Sequence, residues 1–129
     1  MNNSQCVLFI CMKSNRLFFD IDIAKIKKEI KGIKILTANS YLECSEILKA
    51  NNGIIDLVCL EGDCADKALL FHDMINEIKT FKSASNVIAF SENELNKKFC
   101  LYQGVDKFVN TKDLAEAIIS FLKSKSTCK

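Results

Sequence analysis

Five short apolar segments alternate with five stretches of helical periodicity along this chain, and no other feature limits its fold as strongly. The apolar segments cover residues 6–11, 33–37, 54–60, 86–90 and 105–109. Short segments of this kind, rich in β-branched residues and flanked by turn residues, are typical of buried strands. Because parallel strands need helical crossovers, the alternation predicts a parallel sheet with helices on both faces.

Capping signals mark the ends of the predicted helices. Ser40 is followed by Glu43, and Ser91 by Glu94, at the spacing of a capping box, so each serine is expected to begin a helix. Further helix starts are expected at 63–66 and 110–113, and helix ends at Gly32, 51–53 and Gly104. These signals leave only short connections between the elements.

The composition is that of one globular domain. Apolar residues make up 49% and charged residues 26% of the 129 positions, which is enough apolar material for a core of its own. We expect a single domain over residues 1–129, with its core at 5–123 and a polar, frayed tail at 124–129.

Charge and hydropathy exclude several classes of partner. The net charge is only +2, and Arg16 is the one arginine among 18 basic residues, so direct contact with nucleic acid is not expected. No stretch of about 18 apolar residues is present, and the first residues lack a basic signal region. We therefore expect no membrane partner.

Cysteine usage indicates a reducing compartment. The chain has seven cysteines, an odd number, and Cys6, Cys11 and Cys59 lie inside apolar segments where cysteine behaves as a small hydrophobic residue. No C-x-x-C motif supports a structural zinc site. We expect a cytoplasmic protein with reduced thiols, no bound metal and no cofactor.

The order of elements and two local motifs resemble the receiver domain of bacterial two-component response regulators, over essentially the whole chain. Residues 56–61, Asp-Leu-Val-Cys-Leu-Glu, resemble the third strand of that family, which ends in the phospho-accepting aspartate. Residues 104–109, Gly-Val-Asp-Lys-Phe-Val, are similar to its fifth-strand entry, Gly-Ala-Asp-Asp-Tyr-Leu. The resemblance implies a flavodoxin-like three-layer α/β/α sandwich with five parallel strands in the order 2-1-3-4-5.

The same resemblance places substituted residues at the positions of the receiver active centre. Glu61 stands at the acceptor aspartate, and Cys11 and Met12 stand at the acidic pair that holds magnesium. Ser91 keeps the hydroxyl that ends the fourth strand, whereas Thr111 replaces the lysine that follows the fifth. Magnesium needs several oxygen ligands, and a transferring phosphoryl group needs its charge neutralised. We therefore expect no phosphorylation by the family's route.

Two of these residues have competing interpretations. Glu61 is either a polar residue that ends a strand at the solvent edge or a permanent negative charge that imitates a phosphorylated acceptor. A carboxylate carries less charge than a phosphate monoester, so the imitation would be partial. Ser91 is either the cap of the next helix, completed by Glu94, or a switch hydroxyl.

The resemblance also implies a protein-binding face formed by the fourth helix, fifth strand and fifth helix. Lys97, Lys98 and Tyr102 fall on that helix, and Phe108 occupies the position of the switching aromatic residue. We expect Phe108 to turn inward, since it lacks the hydroxyl that favours exposure. The predicted function is a stand-alone, non-enzymatic pseudo-receiver whose partner is another protein or a second copy; the alternative for this face is a solvated lysine surface.

The sequence leaves three alternative functions open. The chain could be a phosphorylatable receiver with an atypical acceptor, or a doubly wound domain with no signalling role. It could also be a cysteine-phosphoryl enzyme working through Cys11, since residues 7–11 resemble the start of low-molecular-weight tyrosine phosphatases and sugar-phosphotransferase B components. The following residues, 12–16, contain no glycine to form a phosphate-binding loop.

Overall fold

Five strands alternate with five α-helices in the computed structural model, which describes residues 5–10, 16–51, 53–61, 68–80 and 86–127. The strands are β1 (Cys6–Ile10), β2 (Lys34–Ala38), β3 (Leu57–Glu61), β4 (Val87–Ser91) and β5 (Lys107–Asn110). The helices are α1 (Arg16–Glu29), α2 (Tyr41–Ala50), α3 (Ala68–Thr80), α4 (Asn96–Tyr102) and α5 (Leu114–Thr127), the last entered through a 3₁₀ turn at Thr111–Asp113.

The strands form one parallel sheet in the order β2-β1-β3-β4-β5, which confirms the predicted fold. All residues of β1, β3 and β4 are buried, as expected for strands covered on both faces. The register places Leu60 opposite both Ile10 and Ala89, and Glu61 opposite Phe90. The carboxyl ends of the three central strands therefore lie at one edge of the sheet.

Helices cover the sheet in two layers, each with its own apolar core. Successive side chains of a strand point to opposite faces, so Val58 and Leu60 belong to one core and Leu57 and Cys59 to the other. The first core is completed by buried residues of α2, α3 and α4, and the second by buried residues of α1 and α5. The layer α2–α3–α4 is thus separate from the layer α1–α5.

Two aspartates fasten the amino ends of neighbouring strands. The Asp56 carboxylate accepts a 2.8 Å hydrogen bond from the backbone N–H of Cys6, where β1 begins. The Asp106 carboxylate accepts from the backbone N–H of Val87 at 2.7 Å, where β4 begins, and from the Lys79 ammonium at 3.1 Å. These acids satisfy backbone donors that the strand ladder leaves unpaired.

One of the two predicted capping serines caps a helix and the other does not. The Ser40 hydroxyl accepts from the backbone N–H of Glu43 at 3.1 Å and begins α2, as predicted. Ser91 is instead the last residue of β4, and α4 begins only at Asn96, without a side-chain cap. The prediction of a helix start at Ser91 was wrong because pairing with β5 keeps Ser91 in the sheet.

The carboxyl-terminal helix, α5, runs on into the polar segment from Ser124 and ends at Thr127. Ion pairs join this helix to α1, with Lys25 Nζ 2.6 Å from Glu116 Oε2 and Lys123 Nζ 3.3 Å from Glu29 Oε1. Water screens exposed pairs of this kind, so they add little to the stability of the fold. No helix in the described part of the chain is long and apolar enough to cross a membrane.

Candidate functional site

Glu61 is a buried residue within the sheet, not a residue at its solvent edge. It is the last residue of β3, retains only 7% of its accessible surface and lies opposite Phe90 of β4. The interpretation of Glu61 as a solvent-exposed strand end was therefore wrong. A polar side chain at this depth is held by its surroundings, so the carboxyl group has a defined position at the carboxyl edge of the sheet.

Ser91 ends the neighbouring strand and holds the start of α4. Its hydroxyl oxygen accepts from the backbone N–H of Asn93 at 2.9 Å and from the Asn96 side-chain amide at 3.1 Å. The side chain of Ser91 is fully buried. A hydroxyl oxygen has two acceptor positions, and both are used here to connect β4 with its loop and with the first residue of α4.

Thr111 follows β5 at the same edge of the sheet. It is 9% exposed and begins the 3₁₀ turn, which Asn110 caps by accepting from the backbone N–H of Lys112 at 3.1 Å. The next residue, Lys112, is exposed. The prediction that a helix starts at Asn110 is thus confirmed, with a turn of 3₁₀ geometry before α5 itself.

Neighbouring strands bring these three side chains to one edge. Glu61, Ser91 and Thr111 end or follow β3, β4 and β5, and adjacent strands lie about 4.8 Å apart. These three residues offer one carboxylate and two hydroxyl groups. Cys11 and Met12 follow β1 directly in the sequence and lie outside the described residues. Among the described residues, no three or more His, Cys, Asp or Glu side chains form a group that could hold a metal ion.

The architecture matches solved response-regulator structures. A response regulator from Hahella chejuensis superimposes with a TM-score of 0.74 at 12% identity, covering 98% of this chain and all of the other (100%). One from Desulfuromonas acetoxidans gives 0.67 at 17% identity, covering 92% and 97% of the two chains. The chain has the receiver-domain fold.

A magnesium-bound receiver domain is also among the similar structures. The receiver domain of a sensor histidine kinase from Pseudomonas aeruginosa, with a magnesium ion coordinated in its active-site cleft, gives a TM-score of 0.66 at 15% identity, covering 90% and 94% of the two chains. No protein-family model and no curated protein matches this chain by sequence. These structural matches establish the receiver fold, but at identities this low they do not establish an activity.

The fourth helix of this receiver fold presents the predicted surface residues to solvent. Lys97 and Lys98 are exposed, and Tyr102 is 87% exposed. Phe108 is partly buried and packs against the core that contains Cys100 of α4, so its predicted inward orientation is confirmed.

A polar connection that sequence reasoning missed ties α3 to the end of α4. The His72 ring nitrogen Nδ1 lies 2.6 Å from the Gln103 amide oxygen, and Nε2 lies 3.1 Å from the Asn76 amide nitrogen. This geometry lets Nδ1 donate to Gln103 and Nε2 accept from Asn76. The partner of His72 lies on another element and carries no local signal in the sequence.

Proposed function

We propose that this chain is a degenerate receiver domain that binds a protein partner in the cytoplasm without being phosphorylated and without catalysing a reaction. The receiver fold supports the general class. The observation that carries the proposal is the residue set at the carboxyl edge, where Glu61 and Thr111 stand at the positions that the resemblance gives to the acceptor aspartate and the lysine.

The chemistry of phosphoryl transfer explains why this residue set is decisive. Catalysis rests on positioning the phosphoryl group and neutralising its charge with metal ions and cations. Thr111 brings no cation, and Cys11 and Met12 bring no carboxylate oxygens for magnesium. The longer side chain of Glu61 also moves its oxygens by about one bond length relative to aspartate, which is enough to disturb in-line attack.

The same edge supports a binding surface with one fixed arrangement. In a regulated switch, a charge change biases an element that has two arrangements. Here the Ser91 oxygen already accepts from Asn93 and Asn96, and Phe108 already packs against the core. The positions of α4 and β5 are thus supported by contacts that need no phosphoryl group. Lys97, Lys98 and Tyr102 would then form a constant surface for an acidic or aromatic partner.

Phosphodonors test the proposal directly. With acetyl phosphate and magnesium, or with beryllofluoride and magnesium, we expect the intact mass and the fluorine spectrum of the protein to show no adduct, because the metal and the phosphoryl group lack ligands. A receiver domain that is phosphorylated under the same conditions serves as the positive control. A stable, magnesium-dependent adduct would overturn the proposal, and loss of that adduct in Glu61→Gln or Cys11→Ser would identify its position.

Charge substitutions test which residues bind the partner. In affinity capture from a cell extract, Lys98→Glu should weaken recovery of a bound protein about tenfold, because reversing a charge at an interface introduces repulsion. Glu61→Gln should leave recovery unchanged. Lys28→Glu is the matched control, since Lys28 is exposed on α1 in the other helix layer. If Glu61→Gln abolishes binding and Lys98→Glu does not affect it, Glu61 controls the surface and the fixed-surface proposal is wrong.

A further inference from the structure

The exposed apolar side chains of this protein are concentrated on one helix layer. Among the described residues, five large apolar side chains are exposed, and four of them lie on or beside α2 and α4: Leu42, Leu95, Leu101 and Tyr102. Leu42 is 70% exposed and Leu95 is 86% exposed. Both helices cover the same face of the sheet. This layer therefore carries most of the exposed apolar side chains of the described chain and is the face to examine for an interaction surface.

The α2 side of this layer contains an acidic groove. Tyr41, Leu42 and Ser45 of α2 and Glu77 of α3 line a groove of about 390 Å³. The Ser45 hydroxyl donates to Glu77 Oε2 at 2.6 Å. A hydrogen bond to Glu77, followed by burial and by the charges of Glu77 and Asp73, raises the pKa of Tyr41. The groove therefore combines the Glu77 carboxylate and the Tyr41 ring with an exposed leucine.

No cation of the described chain neutralises this groove. The ion pairs found among the described side chains join Lys25 to Glu116, Lys79 to Asp106 and Lys123 to Glu29, and none includes Glu77. A partly buried carboxylate attracts a cationic partner more strongly than an exposed one, because water screens it less. The groove thus favours a partner that combines positive charge with apolar surface.

The α4 side of the same layer has that combination. Lys97 and Lys98 are exposed there beside Leu95, Leu101 and Tyr102. The lysines are opposite in sign to the groove, and the apolar side chains match the exposed surface of Leu42 and the Tyr41 ring. This chain therefore carries both halves of a complementary contact on one face.

Helix α3 separates the two halves. The Ser45–Glu77 hydrogen bond joins α2 to α3, and the His72–Gln103 hydrogen bond joins α3 to the end of α4. A two-fold dimer requires a surface on which one half complements the other. Every contact between the two copies then forms twice, once in each direction. A rotation axis near α3 would place the groove of each copy against α4 of the other.

We propose that two copies of this chain associate through the α2–α3–α4 layer about a two-fold axis near α3, with each α2–α3 groove binding α4 of the other copy. This inference rests on the proposed function, in which the α4 surface binds a protein, and it names that protein as a second copy. The groove supplies the acidic and aromatic groups that the lysines of α4 are expected to bind.

The area of the α2–α3–α4 layer limits how tightly two copies can associate. Helices of 10, 13 and 7 residues, at about 1.5 Å per residue and spaced about 10 Å apart, present roughly 450 Å² of projected area per copy. An interface of that size lies at the small end of specific interfaces, typical of weak and reversible contacts. We expect a dissociation constant between about 10 μM and 1 mM.

A charge-exchange experiment tests the arrangement. One double variant, Glu46→Lys/Asp73→Lys, makes the groove side basic. The other, Lys97→Glu/Lys98→Glu, makes the α4 side acidic. All four residues are exposed, so both variants are expected to retain the fold. In sedimentation equilibrium, each variant alone should dimerise at least about tenfold more weakly than the native protein. An equimolar mixture should dimerise again, because both contacts of the mixed dimer pair opposite charges.

The controls separate this pairing from general charge effects. Lys27→Glu/Lys28→Glu on α1 has the same net charge as the α4 variant and should dimerise like the native protein. A native protein that is monomeric at about 1 mM, assemblies that grow beyond dimers, or a mixture that does not recover would overturn the inference. If the protein is monomeric while capture of a cell protein still depends on Lys98, the inference fails and the proposed function stands.

Discussion

Leu60→Ala is expected to lower the free energy of unfolding by about 3–5 kcal/mol. Leu60 is fully buried in β3, between Ile10 of β1 and Ala89 of β4. The loss combines the transfer of the leucine side chain with the cavity that its close-packed neighbours leave. Domains of this size have about 5–15 kcal/mol in total, so the change is a large fraction of the stability.

Urea denaturation followed by circular dichroism measures this effect, and Leu95→Ala is its matched control. Leu95 is 86% exposed, so the same truncation there should change the free energy of unfolding by less than about 0.5 kcal/mol. Equal effects of the two substitutions would mean that β3 is not the centre of the core. A change in the denaturant slope instead of the midpoint would indicate that two-state unfolding is lost.

The order of strands and helices was predictable because each element has a characteristic hydrophobic periodicity in the sequence. Some of their boundaries were not, because they depend on pairing with a neighbouring strand. Ser40 and Ser91 show the limit clearly, since each is followed by a glutamate at capping-box spacing. Ser40 lies beyond β2 and caps α2, but Ser91 pairs with Asn110 and remains in β4. The same local pattern thus has two outcomes, and only the neighbouring strand decides between them.

The location of the candidate site was predictable, but the environment of its residues was not. A glutamate that follows an apolar segment falls at the carboxyl edge of a parallel sheet, which places Glu61 correctly. Its burial depends on β3 extending one residue further to pair with Phe90. In the same way, the roles of Asp56 and Asp106 depend on backbone donors of neighbouring strands. These donors lie 50 and 19 residues away in the sequence, so no short-range signal identifies them.

A second large effect is expected at alkaline pH and comes from Cys44. This cysteine of α2 is 1% exposed and packs in the core shared by α2, α3 and α4. Burial, followed by the negative charge of Glu77, raises the pKa of the Cys44 thiol from 9.0 to about 12. Between those two values the unfolded chain loses the thiol proton while the folded protein keeps it. The folded protein then binds more protons than the unfolded chain, so its stability falls as the pH rises.

The free energy of unfolding is expected to fall by about 1.4 kcal/mol for each pH unit above pH 9, and by about 4 kcal/mol in total by pH 12. Below about pH 8 the Cys44 thiol is protonated in both states, so it causes no such loss. Cys44→Ala has no thiol that could titrate at this position. The free energy of unfolding of the native protein minus that of the variant should therefore decrease with rising pH at the same slope. Tyr41 also titrates in the alkaline range, but it is present in both proteins and cancels in the difference. Urea unfolding at pH 7.5, 9.5 and 10.5 measures the slope. Parallel pH profiles for the two proteins would show that the Cys44 thiolate is accommodated in the folded state, and the burial argument for this thiol would be wrong.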